Sequence, residues 1–307
     1  MKKIALLFVC LAALLSNGTA CVAEPAVKTG IEVLRDRGFE GLQGRRVGLV
    51  TNPSGVDRHL NSTIDILFNA PGVELVALYG PEHGVRGDVY AGGKISDTVD
   101  AATGLPVYSL YGSTRKPAPE MLEGIDVMVY DIQDVGARSY TFISTLGLVM
   151  EACADKGIEV MVLDRPNPLG GKKIEGCYVE RPFNSFVSQY RIPYIYGLTV
   201  GELAMLINEE GLNRGQLGDQ APSKCRLTVV PMEGWTRDML YEDTGLPWVL
   251  PSPNIPFKDS PLYYVSSGIC GELYGFLNIG VGYTLPFQVF GAPWIDPVAL
   301  KERLDSY

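Results

Sequence analysis

Between Arg46 and Leu163 the apolar residues gather in short runs: Arg46–Thr51, Glu74–Tyr79, Pro106–Leu110, Asp126–Tyr130 and Glu159–Leu163. Stretches such as Val127-Met128-Val129-Tyr130 and Val160-Met161-Val162-Leu163 are continuous rather than alternating. That pattern is expected of strands covered on both faces. Between the runs lie Asn61–Asn69, Pro117–Leu122 and Thr141–Lys156, which read as helical. In the last of these, Phe142, Leu146, Val149, Met150 and Cys153 recur at a helix period. Thr199 then caps a helix over Val200–Glu209, with Glu202 completing a capping box. The alternation predicts an α/β fold, a Rossmann-like parallel sheet with helices on both faces. Beyond Gly211 the pattern loosens into Gly, Pro and aromatic residues. Pro251, Pro253 and Pro256 exclude regular structure from Trp248–Pro256, which reads as an ordered wall or a domain junction. A last helix starts near Asp296-Pro297.

The N-terminus follows a different pattern. Lys2 and Lys3 precede an apolar run from Ile4 to Leu15 and a small-residue stretch from Ser16 to Ala23. The run is too short to span a bilayer, so residues 1–23 read as a signal peptide, with export to the periplasm or beyond. Gly18-Thr19-Ala20-Cys21 also loosely resembles a lipoprotein cleavage site, which makes Cys21 a candidate lipid anchor. No second stretch is apolar enough for a membrane span. Cys153, Cys177, Cys225 and Cys270 are widely spaced and form no CxxC, so buried free thiols are expected rather than disulfides.

Each strand opens directly into a polar cluster. The clusters hold Asn52; then Glu82, His83 and Arg86 in a Gly- and Pro-rich loop; then Tyr111 with Arg115 close behind. After the fourth run come Asp131, Gln133, Asp134 and Arg138, and after the fifth Asp164, Arg165 and Asn167. Ligands of open parallel sheets sit at the carboxyl ends of strands, so a site is expected at this edge. Each cluster also has a structural reading. Asn52 and Asn167 are ordinary caps and turn formers, and Asp131 and Asp164 could pair with Arg138 and Arg165 as buried ion pairs.

Composition narrows the chemistry. With 26 Lys+Arg against 35 Asp+Glu in 307 residues, the net charge of −9 argues against nucleic acid as partner. Two histidines, His59 and His83, exclude a multi-histidine metal centre. There is no GxSxG elbow, Walker loop or GxGxxG after the first strand, and no cofactor is expected. Carboxylates with few histidines fit glycoside hydrolysis, one acid protonating the leaving oxygen while a second assists. Tyr111, Tyr140 and Trp248 could supply a sugar platform. A divalent-metal hydrolase built on Asp131, Asp134 and Asp164 is the competing reading.

The strings VGLVTNPSGVDR, ALYGPEHGVRGD, DVMVYDIQDVGARSYTFISTL, VMVLDRPNPLGG and DTGLPWVLPSPN closely resemble the exo-β-N-acetylmuramidases of glycoside hydrolase family 171, once a domain of unknown function. The resemblance runs from Gly30 to about Asn254. It implies release of N-acetylmuramic acid from the non-reducing end of peptidoglycan fragments, in cell-wall recycling. It also implies a Rossmann-like catalytic domain, placed here at residues 27–252, and a smaller C-terminal α/β domain whose truncated beginning is residues 253–307. Glu82 matches the family's proposed catalytic glutamate, with Asp131 or Asp134 as helper or the substrate's acetamido group in that role. Asn52, His83, Tyr111, Gln133, Asp164 and Asn167 would bind the sugar, and Arg86, Arg138 and Arg165 would meet its lactyl carboxylate. Two departures bear on specificity: Tyr196 stands where family members usually carry His, and Gly271–Thr284 lacks the family's arginine. A non-catalytic or altered-specificity sugar-binding relative is the alternative.

Overall fold

A computed structural model describes residues 27–82, 84–87, 98–212, 223–273 and 275–307. The candidate signal peptide, Cys21 and His83 lie outside the described residues. In chain order the elements are α1 (Gly30–Asp36), β1 (Arg46–Thr51), α2 (Thr63–Phe68), β2 (Glu74–Gly80), β3 (Thr98–Val99), β4 (Pro106–Ser109) and β5 (Val127–Asp131). They continue with α3 (Phe142–Lys156), β6 (Glu159–Leu163), α4 (Val200–Glu210), β7 (Arg226–Val230), α5 (Ser260–Ser267) and α6 (Pro297–Asp305). The strands form one sheet in the order β3-β4-β2-β1-β5-β6-β7. All neighbours are parallel except the short β3, which pairs antiparallel with β4.

Leaving out β3, the parallel strands stand in the 3-2-1-4-5-6 order of a Rossmann sheet. The alternation of side chains along each strand splits the interior in two. Val50, Met128, Tyr130, Val160 and Val162 join Leu146, Val149, Met150 of α3 and Leu203, Ala204, Ile207 of α4 on one face. Val47, Leu49, Val127, Val129, Met161 and Leu163 join Ile31 and Leu34 of α1 and Ile64 and Leu67 of α2 on the other. Strands apolar at every position are thus required by burial on both sides, which is why the runs in the sequence are continuous. Truncating one fully buried leucine, such as Leu67, would cost about 2–5 kcal/mol.

The helix ends follow local chemistry. Thr199 and Glu202 form the expected capping box at α4, 3.2 Å from Glu202 N–H to the threonine hydroxyl and 3.0 Å from Thr199 N–H to the glutamate. α3 stops at Gly157, which takes the left-handed conformation at φ 68°. Three expectations change. Pro117–Leu122 is only a 3₁₀ turn over Pro119–Leu122. Arg226–Val230 is a strand, and α1 precedes β1, each where no element was expected. All four described cysteines are free, but only Cys153 and Cys225 are buried; Cys177 is exposed and Cys270 partly so. Among the described residues no helix is long and apolar enough to cross a membrane.

The Pro-rich segment is an ordered wall against the carboxyl edge of the sheet. Asn52 Nδ2 donates to the carbonyl of Pro251 at 3.0 Å, and Tyr140 Oη donates to Ser252 Oγ at 2.8 Å. Trp248 donates to the carbonyl of Ile255 at 3.1 Å and meets Tyr241 edge-on, so it braces the wall rather than offering a sugar platform. Ile255 packs with Val135 and Ala137, and Tyr264 of α5 and Phe287 extend that cluster. The chain beyond the wall joins the same cluster: Tyr264 lies edge-on to both Tyr140 and Phe287, at 5.3 and 5.0 Å.

Candidate active site

In a sheet of this order the chain leaves β1 and β5 toward opposite faces, and the crevice opens between those connections at the carboxyl ends. The acids gathered there fall into two groups according to their partners.

Asp131, the last residue of β5, is buried and faces Arg165 as a two-pronged ion pair, Nε to Oδ1 at 2.5 Å and Nη2 to Oδ2 at 3.0 Å. Thr63 Oγ1 donates to Oδ2 at 2.5 Å, and Arg165 Nη2 also donates to the carbonyl of Val56 at 2.8 Å. Both carboxylate oxygens are therefore occupied by protein donors. This corrects the expectation that Asp131 assists catalysis and that Arg165 meets a substrate anion: each neutralises the other in a site that water does not reach. Asp164 likewise serves the fold. Its oxygens accept from Arg165 N–H at 3.0 Å, Gly201 N–H at 2.8 Å and Thr199 Oγ1 at 2.9 Å, capping α4. Burial nevertheless pushes its pKa up to about 6, against the pull of those donors.

The amide side chains lace the loops together. Asn52 Oδ1 accepts from Ser54 N–H at 2.9 Å and from its hydroxyl at 2.5 Å. Asn167 Nδ2 donates to the carbonyl of Leu198 at 2.9 Å, and its Oδ1 accepts from Leu169 N–H at 2.9 Å. Gln133 Nε2 donates to the carbonyls of Asp134 and Pro166 at 2.8 and 2.7 Å. All three are buried, so their observed role is to shape the edge rather than to line an open pocket.

Asp134 differs from these. It has no cation partner among the described residues and sits among the phenols of Tyr130, Tyr140 and Tyr196. Its Oδ2 accepts from the Tyr196 hydroxyl and from Gly136 N–H at 2.8 Å. Gly136 has φ 82°, and a Cβ there would lie 2.3 Å from Asn167 Oδ1, so only glycine turns its N–H back onto the aspartate. Oδ1 of Asp134 is buried with no partner in the structure, as is Oε1 of Gln133. Burial raises the Asp134 pKa to about 6, moderated by the Tyr196 and backbone donors. Such an oxygen is an acceptor that no protein donor uses.

Glu82 follows β2 on the other side of β1 and is only partly buried. It stands near Tyr111, whose phenol is raised above its ordinary pKa by burial and then by this carboxylate. Tyr140 ties the two acids into one neighbourhood: burial lifts its pKa well above the usual value, and the negative charges of both Asp134 and Glu82 add to that.

The remaining arginines point elsewhere. Arg86 pairs with Asp100 at 2.8 and 3.0 Å and with Asp65 of α2 at 3.1 Å. Its charge is thereby held even more firmly than usual, chiefly by Asp100. Arg138 donates to the carbonyls of Cys177 and Ile192, each at 2.6 Å, and to Ser188 Oγ at 3.2 Å. Neither is free for a substrate carboxylate: the buried Arg138 spends its donors within the fold, and the more exposed Arg86 is already paired with two carboxylates. The three acids of the metal-hydrolase alternative turn to different partners, and no group of three or more potential ligands gathers among the described residues. Two residues the sequence did not place in a role stand out: Tyr196, seen only as a departure from a family pattern, holds Asp134, and Arg115 lies near Tyr111.

The fold and site together define a Rossmann-type α/β protein with a carboxylate pair at its carboxyl edge. A family model described as the N-terminal part of exo-β-N-acetylmuramidase NamZ matches residues 47–259, and its C-terminal counterpart matches residues 262–307. The chain belongs to the NamZ family. It is 47% identical over 283 residues to the peptidoglycan β-N-acetylmuramidase NamZ of Bacillus subtilis strain 168, covering 92% of this chain. It spans 66% of that relative's length. Among solved structures, a DUF1343 family protein of Bacteroides fragilis NCTC 9343 superposes with a TM-score of 0.83 at 58% identity, over 92% of this chain and 69% of that one. A second DUF1343 protein of the same organism gives 0.73 at 33% identity, over 87% and 67%.

Proposed function

We propose that this protein is an exo-acting glycoside hydrolase that releases N-acetylmuramic acid from the non-reducing end of peptidoglycan fragments, as glycoside hydrolase family 171 implies. The observation that carries the reading is the sorting of the acids. Asp131 and Asp164 are consumed by the fold, while Glu82 and Asp134, whose charges both act on Tyr140, have no cation partner among the described residues. The kinship with a peptidoglycan β-N-acetylmuramidase supports the substrate class.

In this reading Glu82 is the general acid that protonates the leaving oxygen, with Tyr111 orienting its carboxyl. Asp134, ionised above about pH 6, opposes the positive charge that develops on the sugar ring. The sequence of residues 1–23 supports export to the compartment where peptidoglycan lies, with Cys21 a candidate for lipidation. The test is release of N-acetylmuramic acid from a chromogenic β-muramide. Glu82→Gln should lose about 100-fold or more in kcat; a variant that keeps the full rate removes Glu82 from the role.

A further inference from the structure

The anionic sugar proposed above needs a cation, and Arg86, Arg138 and Arg165 are all held by the fold. Arg115 is not. It follows Gly112, which turns the chain at φ 83°, on the loop that leaves β4 at the carboxyl edge of the sheet. Its guanidinium carbon lies 4.3 Å from the centroid of the Phe186 ring. Among the described residues no carboxylate forms an ion pair with it, although its side chain is exposed. A guanidinium laid on a ring face keeps its in-plane N–H groups pointing outward, the geometry that grips a carboxylate with two parallel hydrogen bonds.

The loop is also held in place. Lys116, the next residue, pairs with Asp155 at 2.9 Å and Glu151 at 3.4 Å, both on α3. At the other end stands Tyr111, whose phenol feels the charges of both Glu82 and Arg115. Arg115 is thus a cation without a carboxylate partner among the described residues, stacked on Phe186 and on the same short loop as the tyrosine that feels the candidate acid.

We propose that Arg115 is a specificity-determining residue of this site, binding the carboxylate of an N-acetylhexosamine that bears a carboxyalkyl ether. The inference rests on the glycosidase reading and names the residue by which the site would prefer a muramide to a neutral glucosaminide. Phe186 is the platform that presents it. Replacement by Lys keeps the charge but loses both the fork and the stack.

The experiment compares Arg115→Ala, Arg115→Lys and the native chain on two chromogenic substrates, a β-muramide and a β-N-acetylglucosaminide without the lactyl group. Arg115→Ala should raise KM for the muramide by roughly 10- to 100-fold, with kcat little changed. Its KM for the glucosaminide should stay at the native value, and Arg115→Lys should recover part of the loss. An unchanged muramide KM, or an equal loss on both substrates, overturns the role of Arg115 while leaving the glycosidase reading intact. No turnover of the muramide by the native chain overturns that reading instead. In that event the Kd of N-acetylmuramic acid against N-acetylglucosamine, by calorimetry on the same variants, decides whether Arg115 selects the carboxylate. A native chain that binds both sugars equally, or neither, refutes it.

Discussion

Asp131 presents both carboxylate oxygens to the guanidinium of Arg165, at 2.5 and 3.0 Å, in a site closed to solvent. Removing one partner strands the other charge. Asp131→Ala should therefore lose about 3–5 kcal/mol of stability, read from urea unfolding. The double variant Asp131→Leu with Arg165→Met should regain much of the loss. A single variant as stable as the native protein would show that the pair is solvated after all.

Tyr196 donates to Asp134 and moderates the rise that burial causes, leaving the carboxyl at about 6. Tyr196→Phe removes this donor, so the Asp134 pKa should rise further. If the ionised aspartate is needed, the acidic limb of kcat/KM moves to higher pH, with a loss of roughly threefold to tenfold at pH 6 and less at pH 8. An equal loss at every pH would assign Tyr196 a packing role only.

Asp134 and Asp164 are both raised to about 6 in the folded chain, against about 3.9 when unfolded. Between these values the folded state binds protons that the unfolded state has released. Their contribution to stability is thus full below about pH 4 and is lost as pH rises toward 6. Asp134→Asn should flatten this part of the stability–pH curve, measured by denaturant midpoints across that window. A slope identical to that of the native chain would show that Asp134 titrates normally.

Gly30, where α1 begins, has no room for a side chain. A Cβ would stand 2.4 Å from Asp164 N and 2.7 Å from the backbone carbon of Leu163. Gly30→Ala should cost about 1–3 kcal/mol by overpacking. It should also disturb Asp164, which caps α4 from the same point. Unaltered thermal unfolding would argue against the close approach.

The sheet was legible because β1, β5 and β6 must be apolar on both faces, and such runs stand out without any alignment. β7 was not. Arg226–Val230 alternates exposed and half-buried positions at the end of the sheet, and Thr228 interrupts its apolar residues, so it lacks the continuous run. The position of the candidate site was also legible, since polar clusters at successive strand ends point to one edge. What the sequence could not reveal is who satisfies whom. Asp131 and Asp134 are three residues apart, yet one faces a guanidinium and the other a phenol. The same blindness made Arg86, Arg138 and Arg165 look like ligands for an anion. A buried charge is neutralised by whatever the fold brings near it, and only the three-dimensional arrangement says which charges are left over.

The laced cluster at the end of β1 has a further consequence. Where a dinucleotide-binding sheet offers bare backbone N–H groups to a pyrophosphate, this chain carries a stopper of Asp131, Arg165, Thr63, Asn52 and Ser54. β2 and β5 lie on either side of β1, so the chain positions from which Glu82 and Asp134 spring are about two strand spacings apart, roughly 10 Å. The stopper fills the strand end between them, so a substrate touching both acids would lie across it rather than enter the sheet.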